Sequence, residues 1–202
     1  MGHDPRRSGR NTPPNRWLGW VLLALLLAGL PTGVRGQAPP KPTASEIASV
    51  LSREKAVAEE FARLLNDQGR GDAAQYAQGI RRYALAKAQF DGLIEQMQFA
   101  LVAGEPPDTS PRFQAALRSA VEARVAFTDF VDETVLAKQP PGARSPVGDV
   151  IKGATELIKA ISDAALAAWR DHRTAADARR RDLVARLDTY RWRPFGEIAG
   201  GK

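Results

Sequence analysis

Cysteine is absent from the 202 residues, and histidine occurs only as His3 and His172. These shortages exclude disulfide scaffolds, Cys/His zinc sites, iron–sulfur clusters, covalent haem and cysteine nucleophiles. Di-iron bundles need a Glu-x-x-His pair on each of two helices, and none occurs. The two methionines, Met1 and Met97, are too few for copper handling through thioether clusters. Gly69-Arg70-Gly71 lacks the third glycine of a dinucleotide fingerprint and follows a helical pattern, and there is no phosphate-binding loop. Serine-type catalysis would have to recruit His172, which sits among Arg170, Asp171 and Arg173 and reads as solvated. Carboxylate pairs such as Glu59-Glu60 and Asp132-Glu133 fall on polar faces, with nothing to set one pKa apart from the other. The expectation is a non-enzymatic protein with no catalytic residue, metal or cofactor.

The formal net charge of +6 overstates the basic character of most of the chain. Five Arg and one Asp fall within residues 1–36, which leaves 24 basic against 22 acidic residues in the rest. A nearly balanced remainder gives no footprint for a nucleic-acid partner. Residues 1–36 have the three regions of an export signal. Arg6, Arg7, Arg10 and Arg16 form a basic start, Trp17 to Leu30 is uncharged and Leu-rich, and Pro31-Thr32-Gly33 breaks the run. Val34 and Gly36 then suit cleavage between Gly36 and Gln37. The apolar run is shorter than the roughly 20 residues of a spanning helix, so membrane association is expected only if the signal stays uncleaved. Gly9 and Arg10 after Arg6-Arg7 do not suit a twin-arginine signal, and the lack of Cys excludes a lipid anchor. The chain is expected to be periplasmic or secreted.

Residues 37–42 read as a Pro-rich disordered leader, 43–193 as one helical domain and 194–202 as a tail. Alanine makes up 32 of the 166 residues from Gln37 onward, which favours helix over strand. Helix ends are marked by local signals. Thr43-Ala-Ser-Glu46 is a capping box, Asp72 caps a second helix that stops at Gly104, and Ser110-Pro111 opens a third that ends near Ala137. Ser145-Pro146 or Asp149 opens a fourth, with no breaker before Pro194. Apolar residues recur in steps of three and four along all four. The predicted fold is all-α, an antiparallel up-down four-helix bundle with a long, overhanging C-terminal helix.

Two features could carry function. Glu54, Lys87 and Arg124 each interrupt an apolar seam once. Counting from the connecting loops puts them, with Asp163, at one height in the bundle. Such a layer reads as side chains reaching out to water, as a buried ionic cluster that fixes register, or as a polar pocket for a small ligand. The second feature is the distal helix. Taken unbroken from Val150 to Tyr190 it would be about 60 Å long, against about 46 Å for the second helix. Its stripe of Leu183, Leu187, Tyr190 and Trp192 is then covered either by a folded-back tail or by a protein partner or second copy. Opposite charges four residues apart, as in Asp182 and Arg186, make Arg179-Arg180-Arg181 a solvated face. Membrane activity by Val150–Trp169 is weakly supported, because Glu156 and Asp163 accompany Lys152 and Lys159.

The expected function is binding of another macromolecule in the bacterial cell envelope, as scaffold, adaptor or chaperone-like protein. The alternative is ligand sensing through the polar layer. Expression with the native leader should give a soluble envelope species whose intact mass starts at Gln37. A full-length species in the membrane pellet would make residues 17–34 an anchor.

Overall fold

The computed structural model describes residues 44–138 and 153–200. The export signal, the Pro-rich leader, the Thr43 cap and the Ser145-Pro146 and Asp149 helix starts lie outside them. Among the described residues there are six α-helices and no strand. They are α1 (Ala44–Gln68), α2 (Ala73–Ala103), α3 (Pro111–Thr134), α4 (Ala154–Thr174), α5 (Asp177–Asp188) and α6 (Phe195–Gly200), with 3-10 turns at Gly69–Gly71 and Leu136–Lys138. None of these helices is long and apolar enough to cross a membrane.

The ends of α2 and α3 follow from local chemistry. The Asp72 carboxylate accepts from the backbone N–H groups of Ala74 and Gln75, which have no helical partner of their own. Gly104 ends α2 with φ of +72°, and its N–H donates to the Ala100 carbonyl. A side chain would be strained in that left-handed position. Ser110 accepts from Phe113 N–H, and Pro111 stands in the first turn of α3. Helix α4 has Gly153 as its extended N-cap.

The seams converge on one core. Leu51, Ala58, Phe61 and Leu65 of α1 pack with Tyr83, Phe90, Ile94, Met97 and Leu101 of α2. Phe113, Leu117, Phe127 and Val131 of α3 and Leu157, Ile161, Ala164 and Ala168 of α4 complete it. Gly79 marks the tightest approach, since a Cβ there would lie 2.6 Å from Leu65 Cδ2 and 3.0 Å from Phe130 Cε1. That contact explains a glycine inside a helix where alanine is otherwise preferred.

The expected single helix to Tyr190 is not what forms. Ala175 and Ala176 are extended, with ψ of 152° and 156°, and divide it into α4 and α5. Thr174 Oγ1 turns back to the Arg170 and Asp171 carbonyls at 3.2 and 3.3 Å. Arg180 Nε donates to the Ala175 carbonyl at 2.8 Å, so the broken ladder regains a partner. The bend brings α5 onto α2, where Gln98 Nε2 donates to the Val184 carbonyl (3.1 Å) and to Asp188 Oδ1 (3.0 Å). Burial of Leu187, Trp192 and Ile198 outweighs the high helix propensity of two alanines. Replacing Trp192 by Ala should destabilise the fold by about 3–5 kcal/mol in chemical denaturation. A loss below about 1 kcal/mol would mean that the tail is not part of the core.

Candidate functional site

Two members of the expected polar layer meet. Arg124 Nε donates to Glu54 Oε2 at 3.1 Å, with side chains only 6% and 1% exposed. The other two do not join them. Lys87 is half-buried and pairs with Asp91, one turn along its own helix, and Asp163 is exposed on the far side of α4. An i,i+4 pair forms without ordering a second helix, which is why Lys87 prefers the near carboxylate. Phe90, Ala120, Val121, Leu157 and Ile161 close around Glu54 and Arg124. The space left between them is too narrow for a water molecule. Burial lifts the Glu54 carboxyl above the usual carboxylate range, outweighing the attraction and hydrogen bond of Arg124 and the weaker pull of Arg53. Its Oε1 accepts no hydrogen bond. A tight ion pair in an apolar shell can fix helix register, and it leaves no room for a ligand.

The second constellation brings Glu59, which the sequence puts on a polar face, together with Trp192 of the distal stripe and with Arg193, which the sequence does not single out. Glu59 Oε1 accepts from the Arg193 backbone N–H at 3.1 Å, and Oε2 accepts from Arg193 Nε and Nη2 at 3.0 and 2.7 Å. Tyr83 Oη donates to the Arg193 carbonyl at 2.7 Å, so Arg193 is held through both its backbone and its guanidinium. On one side of it Trp192 stacks on Phe90 and Tyr83, with ring centroids 4.9 and 5.9 Å apart. On the other, Phe195 meets Tyr83 edge-on at 5.7 Å and Tyr76 at 6.2 Å. Burial pushes the Glu59 carboxyl up, but the Arg193 hydrogen bonds and charge, with Lys55, bring it net below its ordinary value. Lys55 Nζ donates to the Thr189 carbonyl at 2.8 Å, and Arg191 Nη1 to the Asp91 carbonyl at 3.4 Å. The signal that could have found this clamp is Trp192-Arg193-Pro194-Phe195 itself, two aromatics flanking Arg-Pro in a chain of low aromatic content.

The distal stripe expected to meet a partner is therefore largely spent within the chain. Leu187 and Trp192 are buried and Tyr190 packs against the core, while Leu183 is half-exposed. No family model, curated protein or solved structure matches this chain. His172 is partly buried, and burial followed by the Arg180 charge lowers its pKa. Among the described residues no three His, Asp or Glu side chains gather as a metal site.

Among the described residues, three large apolar side chains remain in water. Leu85, Phe99 and Val102 are 56%, 53% and 74% exposed on the outer side of α2. Ala84 and Ala88 are exposed beside them, and a Cβ built on Gly92 would meet nothing within 4 Å.

The ion pair makes a sharp energetic expectation. Arg124→Met alone should cost about 3 kcal/mol by stranding Glu54 in an apolar shell, whereas Arg124→Met combined with Glu54→Leu should come within about 1 kcal/mol of the parent. Additive losses in the denaturation cycle would show that the two side chains do not act as a pair.

Proposed function

We propose that this chain is an exported, non-enzymatic helical protein of the bacterial cell envelope that works by binding another macromolecule, as scaffold, adaptor or chaperone-like protein. Its four long helices form an antiparallel up-down bundle, and its contact surface is the outer face of α2 rather than the distal C-terminal stripe. The observation that carries this reading is the row of exposed Leu85, Phe99 and Val102 on one helix. Single exposed apolar residues are ordinary on protein surfaces, but Phe99 and Val102 are neighbours one turn apart, and Leu85 stands on the same face about 21 Å further along. Export rests on the basic start and Leu-rich run of residues 1–36. The small-ligand alternative draws no support from the closed space around Glu54 and Arg124.

A photo-crosslinking residue placed at Phe99 should capture a macromolecule in intact envelopes, and the same probe at exposed Arg118 on α3 should not. Adding Leu85→Lys and Val102→Lys should abolish the Phe99 product without lowering the melting temperature, because all three positions face water. Equal capture from both probe positions, or none from Phe99, would refute the assignment of α2.

A further inference from the structure

The outer face of α2 has an order of its own. Its large apolar residues stand toward the two ends, Leu85 on one side and Phe99 with Val102 on the other, and its small residues Ala84, Ala88 and Gly92 lie among them. Counted as a seven-residue repeat, Leu85, Gly92 and Phe99 fall at one position and Ala88, Glu95 and Val102 at the other. Every charge in the N-terminal half of the helix is basic: Arg81, Arg82 and Lys87. Every charge in the C-terminal half is acidic, Asp91 and Glu95, and Glu105 follows the cap. The exposed charges bracketing the stripe are Arg81 and Glu105.

These features share one centre. The midpoints of Leu85 and Phe99, of Leu85 and Val102, and of Arg81 and Glu105 all fall at or beside Gly92 and Leu93, and of those two only Gly92 is not buried. A surface whose two halves complement each other about a central point is what a two-fold axis requires. We propose that the outer face of α2 binds a second copy of this chain, with the two α2 helices antiparallel and crossing at Gly92. This rests on the assignment of that face as the contact surface.

In that arrangement Leu85 of each copy lies beside Phe99 and Val102 of the other. Arg81 of each copy reaches Glu105 of the other, while Arg82, Lys87, Asp91 and Glu95 keep partners within their own chain: the Ala126 carbonyl for Arg82, the Lys87–Asp91 pair, and Arg191 for Glu95. A parallel pairing would set Arg81 against Arg81 and Glu105 against Glu105, which is repulsive. The glycine gains an explanation as well. In a helix interior it costs about 0.5–1 kcal/mol relative to alanine. Gly79 is forced by Leu65 and Phe130, but nothing within the chain crowds Gly92. Close approach of another helix backbone supplies the missing reason, since Gly and Ala at a crossing let two helices come together.

The absence of cysteine makes the test clean. Full chains carrying Leu85→Cys or Phe99→Cys, one thiol each, are purified, mixed and oxidised. The antiparallel pair should yield the mixed disulfide, because those two positions are neighbours across the axis. It should not yield a disulfide between two Leu85→Cys chains, whose thiols lie about 21 Å apart along the helices and beyond disulfide reach. Sedimentation of the parent chain should show twice the mass of the Leu85→Lys, Phe99→Lys double variant at the same concentration. A dominant symmetric Leu85→Cys product would overturn the antiparallel arrangement. A monomeric parent, with no disulfide from the mixed cysteine variants, would overturn the second copy altogether. In that event, a Phe99 photo-crosslink to a different protein or to residues 17–30 of the same chain identifies what covers the face. Failure of the photo-crosslink too would remove the α2 assignment with it.

Discussion

Trp192 is the residue on which the arrangement of the C-terminal third depends. It is 2% exposed and lies flat against Phe90 while stacking on Tyr83, so two aromatic side chains of α2 find their cover in a segment outside the long helices. The neighbouring Arg193 keeps its side chain in water, and buried Glu59 anchors it by accepting three hydrogen bonds. The apolar contact supplies the driving force and the carboxylate supplies the geometry. Once that segment is fixed, α5 has only one place to lie, and the extended pair Ala175-Ala176 follows as the bend that takes it there.

Glu54 and Arg124 act differently. A buried charge pair adds little net stability over apolar residues of the same size, but any slip of α1 against α3 would part them in a shell with no water. The pair therefore makes wrong registers expensive more than it makes the right one favourable. Lys87 shows the boundary of that logic, because it sits one step nearer the surface and satisfies itself locally with Asp91.

The sequence was most legible where structure is decided by near neighbours. The Asp72 and Ser110 caps, the Gly104 stop and the seams of α1 to α4 all depend on residues within a few positions, and they stand where the pattern put them. The bend at Ala175-Ala176 was not legible, because two alanines are strong helix formers and the force that parts them comes from Leu187 and Trp192 meeting a distant surface. Glu59 and Glu60 look alike in sequence. What separates them is Arg193, 134 residues away. Lys87 and Asp91 were a missed local signal, four residues apart on one helix. Asp163 was placed by counting residues across the connection 139–152, and counting gives height without giving facing.

The two buried carboxyls set opposing responses to acid. Glu59 has a lowered pKa in the fold, so its contribution to stability is present above its unfolded pKa and fades as pH falls through the folded one. Glu54 has a raised pKa; its folded form holds the proton more tightly, and its contribution is greatest below the unfolded pKa and declines as pH rises. Acid therefore protonates Glu54 first, relieving its unpaired Oε1, and weakens the Glu59 hold on Arg193 only below the ordinary carboxylate range. Strong acid thus removes the polar clamp on the tail but leaves the burial of Leu187, Trp192 and Ile198, so the segment's position is held by apolar contact after its charge anchor is gone.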